Sequence, residues 1–338
     1  MSIIQQVLML GVKNINEIES LFKTLSPTED QLNAMDGHGD TLAHFAARSR
    51  SLPLLKILHK YHANMEAINE HGRRPIHEAI DNLECVAYLV EDCKVDCNAL
   101  KRGDWTPVMI AALKGDLSIV QYLVNHGAYL YLSTKDGRTP LHIAIQEGHV
   151  ELSKYLISCY PQNTFVKTKL GRLPIQMAAV LKESQKHKGE ILTRFILNNL
   201  TSKEQQTKMV THSDASGRTV LEDAVVANQT ELIPWLLAFG ANPLHHDNIG
   251  RNCWHHAAMV GHVEMLIQLE MNHVLGWDEP DNWDQWTPLM YSVKDGHKSA
   301  VVYFLKRGAD VLKKDKLNRT AKDIAYLWKY NDIFNLLE

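Results

Sequence analysis

Histidine and cysteine side chains are the first candidates for chemistry in this 338-residue chain, which contains 18 histidines and five cysteines. The adjacent pairs His245–His246 and His255–His256 lack the i, i+4 spacing that presents two metal ligands on one helix face. The cysteines are odd in number and include no C-x-x-C pair, so the sequence encodes neither a zinc site nor a disulfide framework. We therefore expect no metal, no cofactor and a reducing compartment.

Catalytic and membrane signals are also missing from the sequence. There is no G-x-S-x-G, H-E-x-x-H, G-x-x-x-x-G-K-[ST] or G-x-G-x-x-G segment in a plausible context. With 36 Lys and Arg residues against 39 Asp and Glu residues, the net charge of −3 gives no whole-chain attraction to nucleic acid or to an anionic membrane. Apolar runs are too short to span a bilayer, and the amino terminus lacks an export signal. We expect a soluble protein that is not an enzyme.

A short motif recurs along the chain with a period close to 33 residues, and seven of its eight intervals lie within two residues of that value. In one well-formed copy, Thr139 is suited to cap a helix. Pro140 fits the first helical position, because a missing N–H costs nothing there. A second helix with an apolar stripe is predicted at VELSKYLI. The motif copies begin at Thr41, Arg74, Thr106, Thr139, Leu173, Thr219, Asn252, Thr287 and Thr320.

These copies, of which TPLHIAI is the clearest, resemble the ankyrin repeat, whose unit is a β-turn followed by two helices. The resemblance implies an all-α solenoid of about nine helix-turn-helix units with β-hairpin fingers. We expect an N-terminal helical cap at residues 1–35 and the repeats at residues 36–338, with an insertion within residues 181–211 that accounts for the single 46-residue interval. The repeats are expected to start near residues 36, 69, 101, 134, 168, 214, 247, 282 and 315.

The residue before each motif copy is a candidate for partner binding, because we expect it at the tip of a hairpin that projects toward a concave face. Six arginines and two tryptophans occupy nine such positions, and these residue types dominate binding hot spots. Such a row predicts an acidic partner surface. The alternative is that each arginine pairs with a carboxylate of a neighbouring hairpin. The predicted partner-binding residues are Trp283, which lies three residues before Trp286, and seven residues of the row: Arg73, Trp105, Arg138, Arg172, Arg218, Arg251 and Trp286. Asp40 and Arg319 complete the row of nine.

Three segments, VDCNALKRGDWTP, STKDGRTPLHIA and FVKTKLGRLPIQMAA, resemble the family of ankyrin repeat domain-containing protein 16. This resemblance implies a co-regulator that binds alanyl-tRNA synthetase. In that family, lysine side chains accept misactivated serine and so prevent serine mischarging of tRNA-Ala. Of the family's three acceptor lysines, only Lys135 is matched by a lysine, since Arg102 and Phe165 occupy the other two positions. With Lys101 and Lys167 nearby, we take Lys135, Lys101 and Lys167 as the candidate acceptors.

Two other functions remain open at this point. A generic ankyrin adaptor would bind an acidic protein surface and do no chemistry. Direct RNA binding through basic turns is disfavoured by the net charge of −3, so we expect no nucleic-acid contact. In both protein-binding cases we expect a monomer without membrane contact, located in the cytoplasm with the nucleus as a second location.

Overall fold

A computed structural model describes residues 2–11, 14–181 and 183–338, apart from the side chain of Glu183. In this part of the chain 22 α-helices form and no β-strand is present, which confirms the predicted all-α fold. Every described helix is too short or too polar to span a lipid bilayer. The chain divides into two compact units, Met1–Asn163 and Thr164–Glu338. The predicted cap and the predicted insertion include residues 1, 12, 13 and 182, which lie outside the described residues.

The first unit consists of helix pairs stacked in two layers. Its helices are α1 (Ile3–Leu10), α2 (Ile15–Leu25), α3 (Glu29–Leu32), α4 (Leu42–Arg48), α5 (Leu52–Lys60), α6 (Pro75–Glu78), α7 (Leu83–Glu91), α8 (Pro107–Lys114), α9 (Leu117–Asn125), α10 (Pro140–Gln146) and α11 (Val150–Cys159). One layer packs as α4, α6, α8 and α10 in turn, and the other includes α5, α7 and α9. Leu54, Val108 and Leu141 are fully buried, because each repeat covers the apolar face of its neighbour.

The second unit repeats this arrangement. Its helices are α12 (Pro174–Ala179), α13 (Lys186–Asn198), α14 (Lys203–Val210), α15 (Val220–Val226), α16 (Leu232–Ala238), α17 (Cys253–Val260), α18 (Val263–Met271), α19 (Pro288–Lys294), α20 (Lys298–Arg307), α21 (Ala321–Leu327) and α22 (Asn331–Leu336). Helices α12, α15, α17, α19 and α21 pack in turn, and α18, α20 and α22 form part of the second layer. Short 3₁₀ helices occur at Pro161–Phe165 and Glu183–Gln185.

A tight turn precedes the first helix of each repeat. In the turn from Thr134 to Arg138, the backbone N–H of Thr134 donates to the carbonyl oxygen of Arg138 at 2.9 Å. Gly137 adopts a φ of +78°, a conformation that glycine takes without strain. Among the described residues, strand-like pairing is limited to one isolated β-bridge, between Lys101 and Trp105. The predicted hairpin fingers are therefore tight turns rather than paired strands.

In three repeats, the fourth residue of the motif links its repeat to the next turn. Nδ1 of His44 accepts the backbone N–H of Thr41 at 3.2 Å, so Nε2 carries the proton and donates to the carbonyl oxygen of Arg73 at 3.0 Å. The same contact is made by Gln176 to the oxygen of Arg218 at 2.9 Å and by His255 to the oxygen of Trp286 at 3.1 Å. These histidines therefore have the structural role that the sequence predicted.

Glu222 occupies this fourth position in the repeat at α15, and its side chain is fully buried. Its Oε2 atom accepts the backbone N–H of Thr219 at 2.7 Å, while Oε1 has no hydrogen-bond partner among the described residues. Burial raises the pKa of Glu222 to about 7. An ionised carboxylate cannot donate a hydrogen bond, so the donor role of this position requires the protonated acid.

Candidate protein-binding site

The predicted partner-binding row lies at the bases of the turns. Arg138, for example, closes its turn, since its carbonyl oxygen accepts the backbone N–H of Thr134, and Lys135 and Asp136 form the tip. The expectation that the row stands at hairpin tips was therefore wrong. Arg138 is the fifth residue of its turn, and its hydrogen bond with the first residue, Thr134, places it next to the start of the turn.

All six arginines of the row are paired with carboxylates of their own unit. The pairs are Arg73 with Glu78 at 3.0 Å, Arg138 with Asp136 at 3.1 Å, Arg172 with Asp223 at 2.7 Å, Arg218 with Asp223 at 3.7 Å, Arg251 with Asp247 at 2.7 Å and Arg319 with Asp315 at 2.7 Å. The row is thus a set of internal ion pairs and not a strip of uncompensated positive charge. Among the described residues, only Arg172 pairs with the next repeat, at Asp214 and Asp223, so the alternative of pairing with a neighbouring hairpin was wrong for the other five arginines, which pair within their own repeats.

The three predicted tryptophans differ in their surroundings. Trp283 is 65% exposed, whereas Trp286 is half-buried and donates from Nε1 to a carboxylate oxygen of Asp315 at 3.2 Å. Trp105 is half-buried in the first unit, where Nζ of Lys101 lies 5.0 Å from its ring centroid. The guanidinium carbon of Arg138 lies 6.0 Å from the same centroid. Both cations therefore lie within the distance at which a cation–π interaction with Trp105 forms.

Trp105 and Lys101 line a pocket of about 260 Å³ in the first unit. The remaining lining comes from helices α4, α6 and α8 and from the loops next to α6, and consists of Arg48, Arg73, His77, Glu78, Asp81, Ile110, Leu113 and Lys114. The lining carries four Lys and Arg side chains against two carboxylates. Burial lowers the pKa of His77 to about 4, so this histidine is neutral at physiological pH. The pocket therefore has an excess of positive charge in a chain whose net charge is −3.

Arg48, Arg73 and Lys114 each pair with a carboxylate of the pocket. Among the described residues, no carboxylate lies within 4.0 Å of the Lys101 ammonium. Burial lowers its pKa, the charge of Arg73 lowers it further, and the charge of Glu78 only partly opposes both effects. A larger fraction of its amine is consequently neutral than for an ordinary lysine, which increases its nucleophilicity.

The other two candidate acceptors are exposed. Lys135 stands at the tip of the turn that follows the Lys101 turn, and its backbone N–H donates to the carbonyl oxygen of Gly103 at 3.0 Å. Two candidate amines therefore belong to hydrogen-bonded neighbouring turns. Lys167 is exposed in the second unit, just after the 3₁₀ helix that contains the half-buried Phe165.

Sequence reasoning missed Arg48 and Glu78, although both shape the pocket. Burial opposes ionisation of Glu78, but hydrogen bonds from Nε of Arg48 at 3.1 Å and Nη1 of Arg73 at 3.0 Å outweigh it and lower the pKa of this carboxyl. One signal was available: Arg73–Glu78 and Arg218–Asp223 share a spacing of five residues, with the acid directly after the buried fourth position of the motif. This spacing predicts an ion pair within one repeat.

Other reactive groups offer little chemistry. Among the described residues, no three or more His, Cys, Asp and Glu side chains are grouped so that they could hold a metal ion. Burial raises the pKa of Cys93 to about 11 and also raises that of Cys97, so neither thiol is activated.

The family model for ankyrin repeats in three copies matches residues 8–101, 83–167, 221–315 and 254–337. These matches cover most of the chain. The protein therefore belongs to the ankyrin repeat family, and its repeats indicate a protein-binding scaffold. Ankyrin-repeat proteins of this kind are typically not enzymes.

Individual relatives have different names. A putative ankyrin repeat protein of Rickettsia felis is 24% identical over 78% of this chain and 71% of its own length. Phosphocholine transferase AnkX of Legionella pneumophila is 25% identical over 65% of this chain and 24% of its own length. NF-kappa-B inhibitor cactus of Drosophila melanogaster is 30% identical over 44% of this chain and 30% of its own length. The chain thus spans less than a third of the last two relatives, one of which is named as an enzyme and the other as an inhibitor.

Proposed function

We propose that the protein is an ankyrin-repeat scaffold that binds alanyl-tRNA synthetase and accepts misactivated serine on lysine side chains. The observation that carries the proposal is the placement of Lys101 and Lys135 on neighbouring, hydrogen-bonded turns, with the pKa of the Lys101 amine lowered. Both turns belong to the segments that resemble the co-regulator family. Lys167, in the third of these segments, is the remaining candidate acceptor.

The chemistry requires only an amine and an activated acyl group. The lone pair of the lysine Nζ atom forms a bond to the carbonyl carbon of seryl-adenylate, the bond from that carbon to the phosphate oxygen breaks, and AMP leaves. The attacking nitrogen gives up a proton and an amide remains. Because only the neutral amine attacks, the lowered pKa of Lys101 favours this step, whereas Arg102 cannot replace a lysine.

The proposal is tested with the full-length protein, alanyl-tRNA synthetase, ATP and serine. We expect the two proteins to co-purify and mass spectrometry to find seryl adducts on Lys135, Lys101 or Lys167. Lys135→Arg should lose the adduct at that position and retain binding, and Lys154→Arg on α11 is the matched control that should change neither. Co-purification without any adduct contradicts serine capture, and failure to co-purify contradicts the partner.

A second candidate is an adaptor that binds an acidic protein surface without chemistry, and the positive excess in the Lys101 pocket favours it. It predicts that charge reversal at Lys101, which lines this pocket and has no carboxylate partner among the described residues, weakens binding of a partner, while Lys135→Arg has no effect of any kind. Affinity purification of the wild-type protein and these variants from the same extract separates the two candidates, because only the first yields the synthetase.

A further inference from the structure

The pocket at Lys101 and Trp105 is sized for a single side chain. Its volume of about 260 Å³ is below the range of about 300–1,000 Å³ that is typical of small-molecule sites. Trp105, Ile110 and Leu113 supply apolar lining, and six of the other seven lining residues are charged. Such a pocket suits a residue of a protein partner that combines a short apolar stem with a charged end.

The charges that line the pocket determine whether the partner side chain should be acidic or basic. Both lining carboxylates are already engaged: Glu78 by Arg48 and Arg73, and Asp81 by Lys114. Among the described residues, the side chain of Arg73 donates only through Nη1, so its other N–H groups remain available. The Lys101 ammonium lacks a carboxylate within 4.0 Å. The uncompensated charge of the pocket is therefore positive.

A carboxylate from a partner protein would supply the negative charge that Lys101 does not have next to it. Lys101 is half-buried and is repelled by the guanidinium of Arg73, and both effects lower its pKa. An anion placed between the two cations would remove this repulsion and replace the hydration that Lys101 has lost. Arg48 and Arg73 are half-exposed and both pair with Glu78, and Arg48 also pairs with Asp40 at 2.8 Å. These ion pairs hold the two arginines in place next to the pocket.

We propose that this pocket receives one Glu or Asp side chain of a partner protein, whose carboxylate pairs with Lys101 and Arg73 while its methylene groups lie against Trp105. The proposal rests on the scaffold function proposed above and identifies the anchor of that scaffold. A carboxylate bound in the pocket keeps Lys101 in its ammonium form, so Lys101 can accept serine only while the pocket is empty. Lys135, on the next turn, is the acceptor while the pocket is occupied.

Binding of a model peptide by the full-length protein tests the proposal. The probe is fluorescein-labelled hexaglutamate, with hexaglutamine as the neutral peptide, measured by fluorescence anisotropy. We expect hexaglutamate to bind and hexaglutamine not to bind, and Lys101→Met to weaken hexaglutamate binding at least tenfold. Arg102→Met is the matched control, because it removes one positive charge from the same turn at a residue outside the pocket, and it should change binding less than twofold.

Three outcomes would overturn the carboxylate assignment. No binding of hexaglutamate removes it outright, and equal weakening by Lys101→Met and Arg102→Met shows general attraction to a basic turn. Displacement of the peptide by inorganic phosphate at a lower concentration than by acetate assigns the pocket to phosphate. Circular dichroism of both variants verifies that they are folded.

Chemical footprinting of the wild-type protein gives a second measurement that needs no variant. N-hydroxysuccinimidyl acetate acetylates accessible amines, and mass spectrometry reports the extent at each lysine. Hexaglutamate should protect Lys101 several-fold and leave Lys135 unprotected, and equal protection of both contradicts the pocket assignment. Because neither experiment contains the synthetase, a negative result here leaves the synthetase proposal standing, and failed co-purification leaves the pocket proposal standing.

Discussion

Replacing Glu222 with glutamine should stabilise the protein at neutral and alkaline pH. Glu222 is buried at the position where His44, Gln176 and His255 donate a hydrogen bond to the next turn, and its Oε1 atom has no partner among the described residues. The glutamine amide donates at every pH, as Gln176 does in its own repeat. The carboxyl group of Glu222 can donate only when it is protonated.

The sign and size of the effect follow from the pKa. Burial raises the pKa of Glu222 from 4.5 to about 7, so the stabilisation that this group contributes is complete below pH 4.5 and is lost as the pH rises through 7. Between these limits the wild-type protein should lose about 3 kcal/mol relative to Glu222→Gln. His245, whose Nε2 atom lies 3.9 Å from Oε2, and also Asp247 and Cys253 face the carboxyl group. These neighbours are common to both proteins, so the difference reports Glu222 together with its interactions with them.

Urea unfolding followed by circular dichroism at pH 5, 6, 7 and 8 measures this difference. Glu264→Gln, at an exposed position of α18, is the control and should match the wild-type protein throughout. A free-energy difference between wild type and Glu222→Gln that stays constant over this range, or that grows toward acid, would refute the assignment of a protonated carboxyl group.

Three further predictions concern stability and reactivity. Arg172→Met leaves buried Asp223 with Arg218 at 3.7 Å as its remaining arginine and should lower the free energy of unfolding at pH 8 by about 3 kcal/mol; an unchanged urea midpoint contradicts this. Trp254→Ala should cost about 3–5 kcal/mol because Trp254 is fully buried, whereas Trp283→Ala, at an exposed residue, should stay within about 0.5 kcal/mol, and similar losses contradict the assigned burial. Iodoacetamide at pH 8 should alkylate exposed Cys159 before Cys93, whose pKa burial raises to about 11, and mass spectrometry would reveal the reverse order.

Helix positions could be predicted because their signals are local and recur in every repeat. Helix α10 begins at Pro140 after Thr139, as these two residue types predict. The role of the fourth motif residue was also predictable, since a histidine that recurs at fixed spacing in an apolar segment is most simply a structural one. Periodicity therefore carries the fold and the histidine contacts.

Contacts between repeats could not be read in the same way. Arg48 and Glu78 lie 30 residues apart, and only the packing of α4 on α6 brings them together. The row of arginines looked like free positive charge because a list of residue types does not show which carboxylate each one meets. Likewise, nothing but burial distinguishes Glu222 from an ordinary surface glutamate, and burial depends on the folded neighbours.

The hydrogen bonds that join successive repeats also bear on how the protein is made. His44 reaches the carbonyl of Arg73, and Lys135 reaches that of Gly103, so each joining contact spans about one repeat of sequence. A repeat emerging from the ribosome can therefore dock on its predecessor as soon as the following turn has been synthesised. Because these sequence separations are short, folding within each unit should keep pace with translation and leave little apolar surface exposed on the nascent chain.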